Sequence, residues 1–349
     1  MGGPSQPVRL GNVFPPNADW LARHQPEAIL EPDLPILDPH HHLWERADHR
    51  YLLPDLLADL GSGHNVVGTV FVECMAMYRA HGPSELRPVG ETEFVNGVAA
   101  MSASGGYGPA RICAGIVGFA DLTLRDRVKP VLEAHVVAGG GRLRGIRHAA
   151  GWDASEDIRK SHTNPPQGLL GSAAFRAGFA RLAPLALSFD AWLYHPQLPE
   201  LVDLARAFPD TTIVLDHVGG PLGCGPYAGR HDDVFTTWQA SIRRLADCTN
   251  VVVKLGGLGM RIGPFDFYRR EAPPTSADLA AAWRPYIDAC VTAFGADRCM
   301  FESNFPVDKI TCSYAVLWNA FKRLVAGSSA SEKTALFSRT AKRVYRLTL

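Results

Sequence analysis

The stretch Ile36-Leu-Asp-Pro-His-His-His-Leu-Trp44 sets an apolar lead directly against Asp38, His40, His41 and His42. In an extended strand the side chains alternate, so His40 and His42 share one side. His41 faces the other way, where a structural hydrogen bond is expected. Two imidazoles held side by side make a half-site for a divalent metal, or polarise a carbonyl with no metal at all. Other polar groups end short apolar runs in the same manner. Glu73 closes 66–73, Arg147 closes 143–147 and is followed by His148, and His195 follows 187–194. Asp216 and His217 follow 211–215, Lys254 lies in 251–255, and Glu302 with Asn304 follows 298–301.

These groups need a scaffold that gathers strand ends. Eight short β-branched or apolar runs are expected as strands, at 34–38, 66–73, 111–117, 143–147, 187–194, 211–215, 251–255 and 298–301. Helical periodicity lies between them, at 53–60, 91–101, 124–137, 173–182, 198–208, 234–246 and 277–294, with two closing helices at 313–326 and 331–345. Strands alternating with helices predict an α/β fold, a (β/α)8 TIM-type barrel over residues 34–349. The proline-rich residues 1–33 are expected to form an arm over it, with a short helix near 20–23. Barrels of this kind carry their chemistry at the C-terminal strand ends and in the loops that follow.

Composition narrows the function classes. The chain has 349 residues, 46% hydrophobic and 20% charged, which suits a globular protein with a sizeable core. Thirty-five basic and 35 acidic residues give zero formal net charge, against a nucleic-acid footprint or a basic membrane surface. Seven cysteines, an odd number widely spaced with no C-x-x-C, read as reduced thiols in a cytoplasmic protein. Neither a basic-plus-apolar leader nor an apolar run of membrane-spanning length is present in the sequence. The glycines at 219, 220, 223 and 225 lack the spacing of a nucleotide loop.

Taken in order, H-x-H after strand one, Leu143-Arg-Gly-Ile-Arg-His148, Leu215-Asp-His217 with Gly-Gly-Pro, Lys254-Leu-Gly-Gly-Leu258 and the late Ser-Asn-Phe-Pro resemble the amidohydrolase superfamily. The similarity is to its amidohydrolase 2 branch, which contains sugar-acid lactonases and 2-pyrone-4,6-dicarboxylate lactonase, and it spans roughly residues 34–348. The resemblance implies a distorted barrel and hydrolysis of a lactone or related ester. It also implies candidate ligands for one divalent ion, zinc first, at His40, His42, His195 and His217. Pyrone-lactone hydrolases of the branch work without a metal, so the resemblance leaves both routes open. Relatives carry an aspartate after strand eight where this chain has Asn304. An amide cannot take a proton at neutral pH and is a poorer ligand. Glu302 and Asp308 are the nearby carboxylates that can replace it.

The leading expectation is a hydrolase that opens a lactone or carboxylic ester of a small, carboxylated substrate by water attack on the carbonyl. His217, Glu302, Asn304 and Lys254 are its candidate catalytic residues, with His217 or a carboxylate taking the proton and Lys254 facing the oxyanion. Arg147, His148, Glu73 and His195 are the candidate substrate-binding residues, Arg147 because a guanidinium pairs with a carboxylate. A non-oxidative decarboxylase of the same superfamily is the alternative, and a silent binding protein is a third reading. Loops 78–90, 153–171, 219–233 and 259–276 are expected to set specificity. Aromatic residues in the loops and arm are compatible with a homodimer.

Overall fold

Runs rich in valine and isoleucine, buried on both faces, form eight parallel strands paired in chain order. They are β1 (Ile36–His41), β2 (Val66–Val72), β3 (Arg111–Gly118), β4 (Leu143–Ile146), β5 (Ser188–Ala191), β6 (Ile213–Leu215), β7 (Val251–Leu255) and β8 (Cys299–Phe301). The computed structural model describes residues 13–348, so the first twelve residues of the expected arm and the last residue lie outside the described part. Helices follow the strands and cover the outside, giving the (β/α)8 barrel that the alternating pattern predicts. Local rules hold at their ends. The long helix Ser276–Phe294 starts at Thr275, whose hydroxyl accepts the Asp278 N–H at 3.1 Å while Asp278 accepts the Thr275 N–H at 2.9 Å.

Two strands differ from expectation in ways that move the site. β1 does not stop at Asp38. It runs on to His41, with an irregular register against β2 between Asp38 and His41. β5 stops at Ala191, so Trp192 to Tyr194 belong to the loop. The last expected helix is three pieces: Ala330–Thr334, a wide π turn over Ala335–Arg339, and Thr340–Val344.

Those final residues have a use. Side chains pointing into the barrel from Leu37, Val70, Val117, Val214, Val252 and Met300 form one apolar cluster with Val344, Tyr345 and Leu347. The C-terminal segment therefore plugs the barrel from within. At the upper end, β8 and β1 share no ladder among the described residues. The chain leaving β8 closes that seam instead: Asn304 N–H donates to His40 O at 2.9 Å, and His42 N–H donates to Phe305 O at 2.8 Å. Asp38 locks the same seam, accepting Ser303 N–H at 3.0 Å and Tyr314 O–H at 3.0 Å.

Burial pushes the Asp38 carboxyl up to about 6, against the pull of those donors. Removing its oxygens would leave three buried donors unsatisfied, the third being His40 N–H at 3.3 Å, at a cost of about 1–3 kcal/mol for a fully lost partner. Asp38→Ala is expected to lower stability by ~3 kcal/mol in denaturant unfolding at neutral pH. A loss below ~0.5 kcal/mol, the range of an ordinary surface change, would show that the seam does not depend on it.

Candidate active site

The upper strand ends converge on a floor of buried charged side chains. Glu302, directly after β8, lies at its centre. Its Oε1 accepts the His217 backbone N–H at 3.0 Å and the His217 ring Nδ1–H at 2.7 Å. Its Oε2 stands 2.8 Å from His40 Nδ1. Burial opposes its charge, but His217 and His40 outweigh that and hold the carboxyl down to about 2. An ionised carboxylate only accepts, so His217 Nδ1 carries a proton toward it.

Around this carboxylate lie two fixed cations. Lys254 Nζ is 2.8 Å from Asp190 Oδ2, 3.0 Å from Asp216 Oδ1 and 3.2 Å from His40 Nδ1. Burial disfavours its charge, yet Asp190 and Asp216 raise its affinity for the proton overall. Arg147 Nε donates to Glu73 Oε1 at 2.7 Å, its Nη2 donates to Glu73 O, and its Nη1 lies 3.3 Å from His40 Nε2. A guanidinium cannot accept, so His40 Nε2 carries the lone pair and His40 is neutral. Glu73 resists burial through His162 and Arg147, which hold it down to about 2.

Above this floor opens a cavity of about 530 Å³, counted out to its mouth. His42, His217, Arg147 and Asn304 line its base. Trp44 and Trp192 give it aromatic walls, and Arg46, Cys74, His162, Met260 and Val13 complete much of the rest. His42 Nδ1 donates to Val72 O at 2.8 Å, leaving its Nε2 as a lone pair. Local backbone geometry delivers the other two base residues. His217 (φ 56°) and Asn304 (φ 53°) both adopt the left-handed conformation, which asparagine tolerates better than most residues. The Gly-Gly after β7 makes room for this. A Cβ on Gly257 would stand 2.4 Å from His217 Cβ, and one on Gly256 would stand 2.5 Å from Glu302 Cγ.

Several residues named from the sequence take different places. His41 turns away and bonds Thr69 Oγ1 at 2.8 Å, as its alternation implies. His40 neighbours His42 with ring centroids 4.9 Å apart, but lies beneath the cavity with both nitrogens engaged. Lys254 and Glu73 also lie in the floor, and neither lines the cavity. Arg147 lines it, but Glu73 occupies two of its three nitrogens, so its donors are largely spent on the protein. His195 does not reach the cavity: its Nδ1 accepts the Leu222 N–H at 3.2 Å, and burial lowers it to about 4. His148 faces a neighbouring cavity, with Nδ1 accepting the Leu122 N–H at 3.3 Å. Both fall outside because the loop, not the strand, sets where they point.

The carboxylate alternatives divide the work. Glu302 backs His217, and Asp308 accepts Asn304 Nδ2–H at 2.9 Å and Gly259 N–H at 3.1 Å. Burial pushes Asp308 up to about 7. The sequence reading missed Asp190, Arg46, His162 and Trp192. Asp190 carried a signal, since a charged residue inside an apolar strand demands a partner. Arg46 stacks 3.9 Å over the Trp44 ring and donates to Cys74 O at 3.1 Å. No carboxylate takes it among the described residues, which makes it the free guanidinium of this cavity.

His40, Asp216 and His217 present possible ligand atoms within 4.8 Å of one another. The Asp216 oxygens have no aligned hydrogen bond, but Lys254 Nζ already stands among them at 3.0 Å.

Two outcomes follow from this geometry. Gly257→Ala is expected to displace His217 and abolish its Nδ1–Glu302 contact while the barrel still folds. Imidazole 15N shifts of His217 would read this directly, and an unchanged Nδ1-protonated pattern would contradict it. Glu73 and Glu302 bind protons more weakly folded, at about 2, than unfolded, near 4.5. Between those values the unfolded chain holds more protons, so stability is complete above pH ~4.5 and drains away as pH falls toward 2. The stability gap between wild type and Glu302→Gln should therefore narrow over that window in denaturant titrations.

Against known proteins, a family model described as amidohydrolase matches residues 37–347. A protein of Sinorhizobium fredii called y4mH, itself uncharacterized, is 34% identical over 337 residues, covering 90% of this chain and 99% of that one. The L-fucono-1,5-lactonase of Burkholderia multivorans is 28% identical over 323 residues, covering 89% of this chain and 96% of that enzyme. A crystal structure of a Burkholderia multivorans amidohydrolase with bound zinc superposes with a TM-score of 0.68 at 27% identity, covering 90% and 99%. With its barrel, its ordered strand-end motifs and a match that spans nearly its whole length, the chain belongs to the amidohydrolase family.

Proposed function

We propose that this protein hydrolyses a lactone, or a related carboxylic ester, of a small oxygenated acid. The observation that carries the reading is the His217–Glu302 pair, a buried carboxylate that fixes one imidazole in the lining of a cavity. The similarity to an L-fucono-1,5-lactonase supports the substrate class.

The chemistry follows from the placement of the groups. A water molecule beside His217 Nε2 gives up a proton as its oxygen attacks the carbonyl carbon. Glu302 does not take that proton; it stabilises the imidazolium as it forms, as a buried carboxylate does in a hydrolytic triad. Positive charge at the base, from Arg147, faces the oxygen on which negative charge develops. His217 then returns the proton to the leaving alkoxide, which leaves an open hydroxy acid. Trp44 and Trp192 offer faces for a ring, and Arg46 offers a guanidinium to the substrate's carboxylate or hydroxyls.

The zinc expected from the superfamily resemblance fits this donor set poorly. His40 is enclosed between Arg147 and Lys254, and the ammonium of Lys254 stands where an ion on His40 and Asp216 would sit. Two like charges at such distance repel strongly in a buried site. His42 and His217 remain, with the neutral amide of Asn304 beside them, and structural or catalytic zinc sites ordinarily use three firmer donors. No step above uses a metal.

The test is a panel of sugar-acid 1,4- and 1,5-lactones, following acid release, with aromatic acids and bicarbonate release as the lyase control. Lactone opening is expected, with kcat reduced roughly 10³–10⁴-fold in Glu302→Gln and at least as much in His217→Asn. Bicarbonate release without lactone opening would replace this reading with the decarboxylase one. Activity should survive chelation with metal content far below one per chain. Activity lost on chelation and restored by zinc would turn His217 from a base into a ligand.

A further inference from the structure

The catalytic cavity is not walled by the barrel alone. Val13, from the N-terminal arm, lines it together with Met260 and Val307. The arm precedes residue 37, where the family match begins. It is tied down along its length. The Trp20 indole N–H donates to Arg270 O at 2.8 Å, Glu27 accepts the Ser276 N–H at 2.7 Å, and Lys322 Nζ donates to Leu30 O at 2.7 Å.

Next to the cavity the tie is Phe14. The Arg261 guanidinium stands 4.1 Å from the centre of the Phe14 ring and 4.8 Å from that of Tyr268. No carboxylate pairs with Arg261 among the described residues, and its Nε is buried without a hydrogen bond. The two aromatic faces are what its charge meets, so Phe14 is held by a cation that has little else to hold. Val13 is only partly buried, so it keeps surface that a ligand can cover.

Two contacts join the apolar residues into one side of the cavity. Phe14 on Arg261 ties the segment of Val13 to that of Met260. The Gly259 N–H, donating to Asp308 at 3.1 Å, ties the segment of Met260 to that of Val307. The polar residues belong to a different set of segments: Arg46 donates to Cys74 O, and Arg147 and His162 both meet Glu73. The cavity therefore has an apolar side and a polar side, with His217 and Asn304 in its base.

We propose that the arm is part of the active site and that Val13 is a specificity-determining residue, bounding a short aliphatic substituent of the substrate that seats against Val13, Met260 and Val307. The inference rests on the lactone reading, because it sets the scissile carbonyl at His217 and turns the oxygen-bearing part of the ring toward Arg46 and Arg147. It makes the substrate a lactone that carries a small alkyl group.

Three lactones test it: δ-valerolactone, δ-hexalactone and δ-decalactone, whose rings carry no substituent, a methyl group and a pentyl group. The methyl compound is expected to have the highest kcat/KM. Val13→Gly should raise the pentyl-to-methyl ratio by about tenfold or more, since one methylene counts for about that much in an apolar pocket. Phe14→Ala, which frees the arm from Arg261, should move that ratio in the same direction. Val13→Phe should lower the methyl-to-parent ratio. Equal kcat/KM for the three compounds, or a pentyl-to-methyl ratio that Val13→Gly and Phe14→Ala both leave in place, overturns the assignment. If none of the lactones is opened, the lactone reading fails and binding decides the role of Val13 alone. Saturation-transfer NMR with 2-piperidone and its 6-methyl derivative should then show both bound to wild type, with the methyl-to-parent signal ratio reduced in Val13→Phe. No binding to wild type, or a ratio unchanged in that variant, would overturn the proposal.

Discussion

The site depends on one buried carboxylate. Glu302 has no contact with solvent, yet it stays ionised because His217 and His40 both turn an Nδ1 toward it. Take it away and His217 loses the acceptor for both its ring Nδ1 and its backbone N–H, while His40 loses a close Nδ1 neighbour. Its place is also what demands glycine at 256 and 257, since any side chain on β7's exit would collide with Glu302 or His217. The floor is rich in charge: Glu73, Asp190, Asp216 and Glu302 face the two fixed cations Arg147 and Lys254. Such a network is expensive to bury, and it is tolerable only where every charge has a close partner. The surplus is negative, which favours the appearance of positive charge at the base of the cavity during proton transfer.

This network is tied to the barrel at both ends. Below, the C-terminal plug sends the Tyr345 hydroxyl to Asp190 at 2.6 Å, and Asp190 holds Lys254. Above, the backbone bonds from 303–305 to 40–42 close the seam and place Asn304 and His42 on the same rim. The last residues of the chain and the first strand thus fix the same site from opposite sides. The carboxylate Glu302 sits two residues before Asn304 and beneath the cavity, behind His217, while Asp308 accepts from the Asn304 amide.

Much of the frame was legible because strands buried on both faces must be apolar, and the polar residues that interrupt them mark their ends. That logic located all eight strands, and it singled out His42, His217, Arg147, Asn304 and Glu302. It failed where a loop carries the side chain. His195 and His148 stand next to strands in sequence, yet their loops turn them onto backbone N–H groups. Arg46 and Trp192 lie in segments whose sequence has no period to read.

The sequence by itself determined the barrel, the order of its strand-end motifs and the family, because these follow from residue type and spacing along the chain. Which histidine faces the cavity, which one serves as an internal wedge, and which carboxylate backs which imidazole were decided only by the tertiary structure. The physical reason is that these roles depend on what lies opposite. His40 and His42 are alike in sequence, but one meets Arg147 and Glu302 while the other meets a carbonyl and an open cavity. Arg147 and Glu302 come from strand ends more than a hundred residues away, the Val72 carbonyl from the neighbouring strand, and no local pattern encodes them.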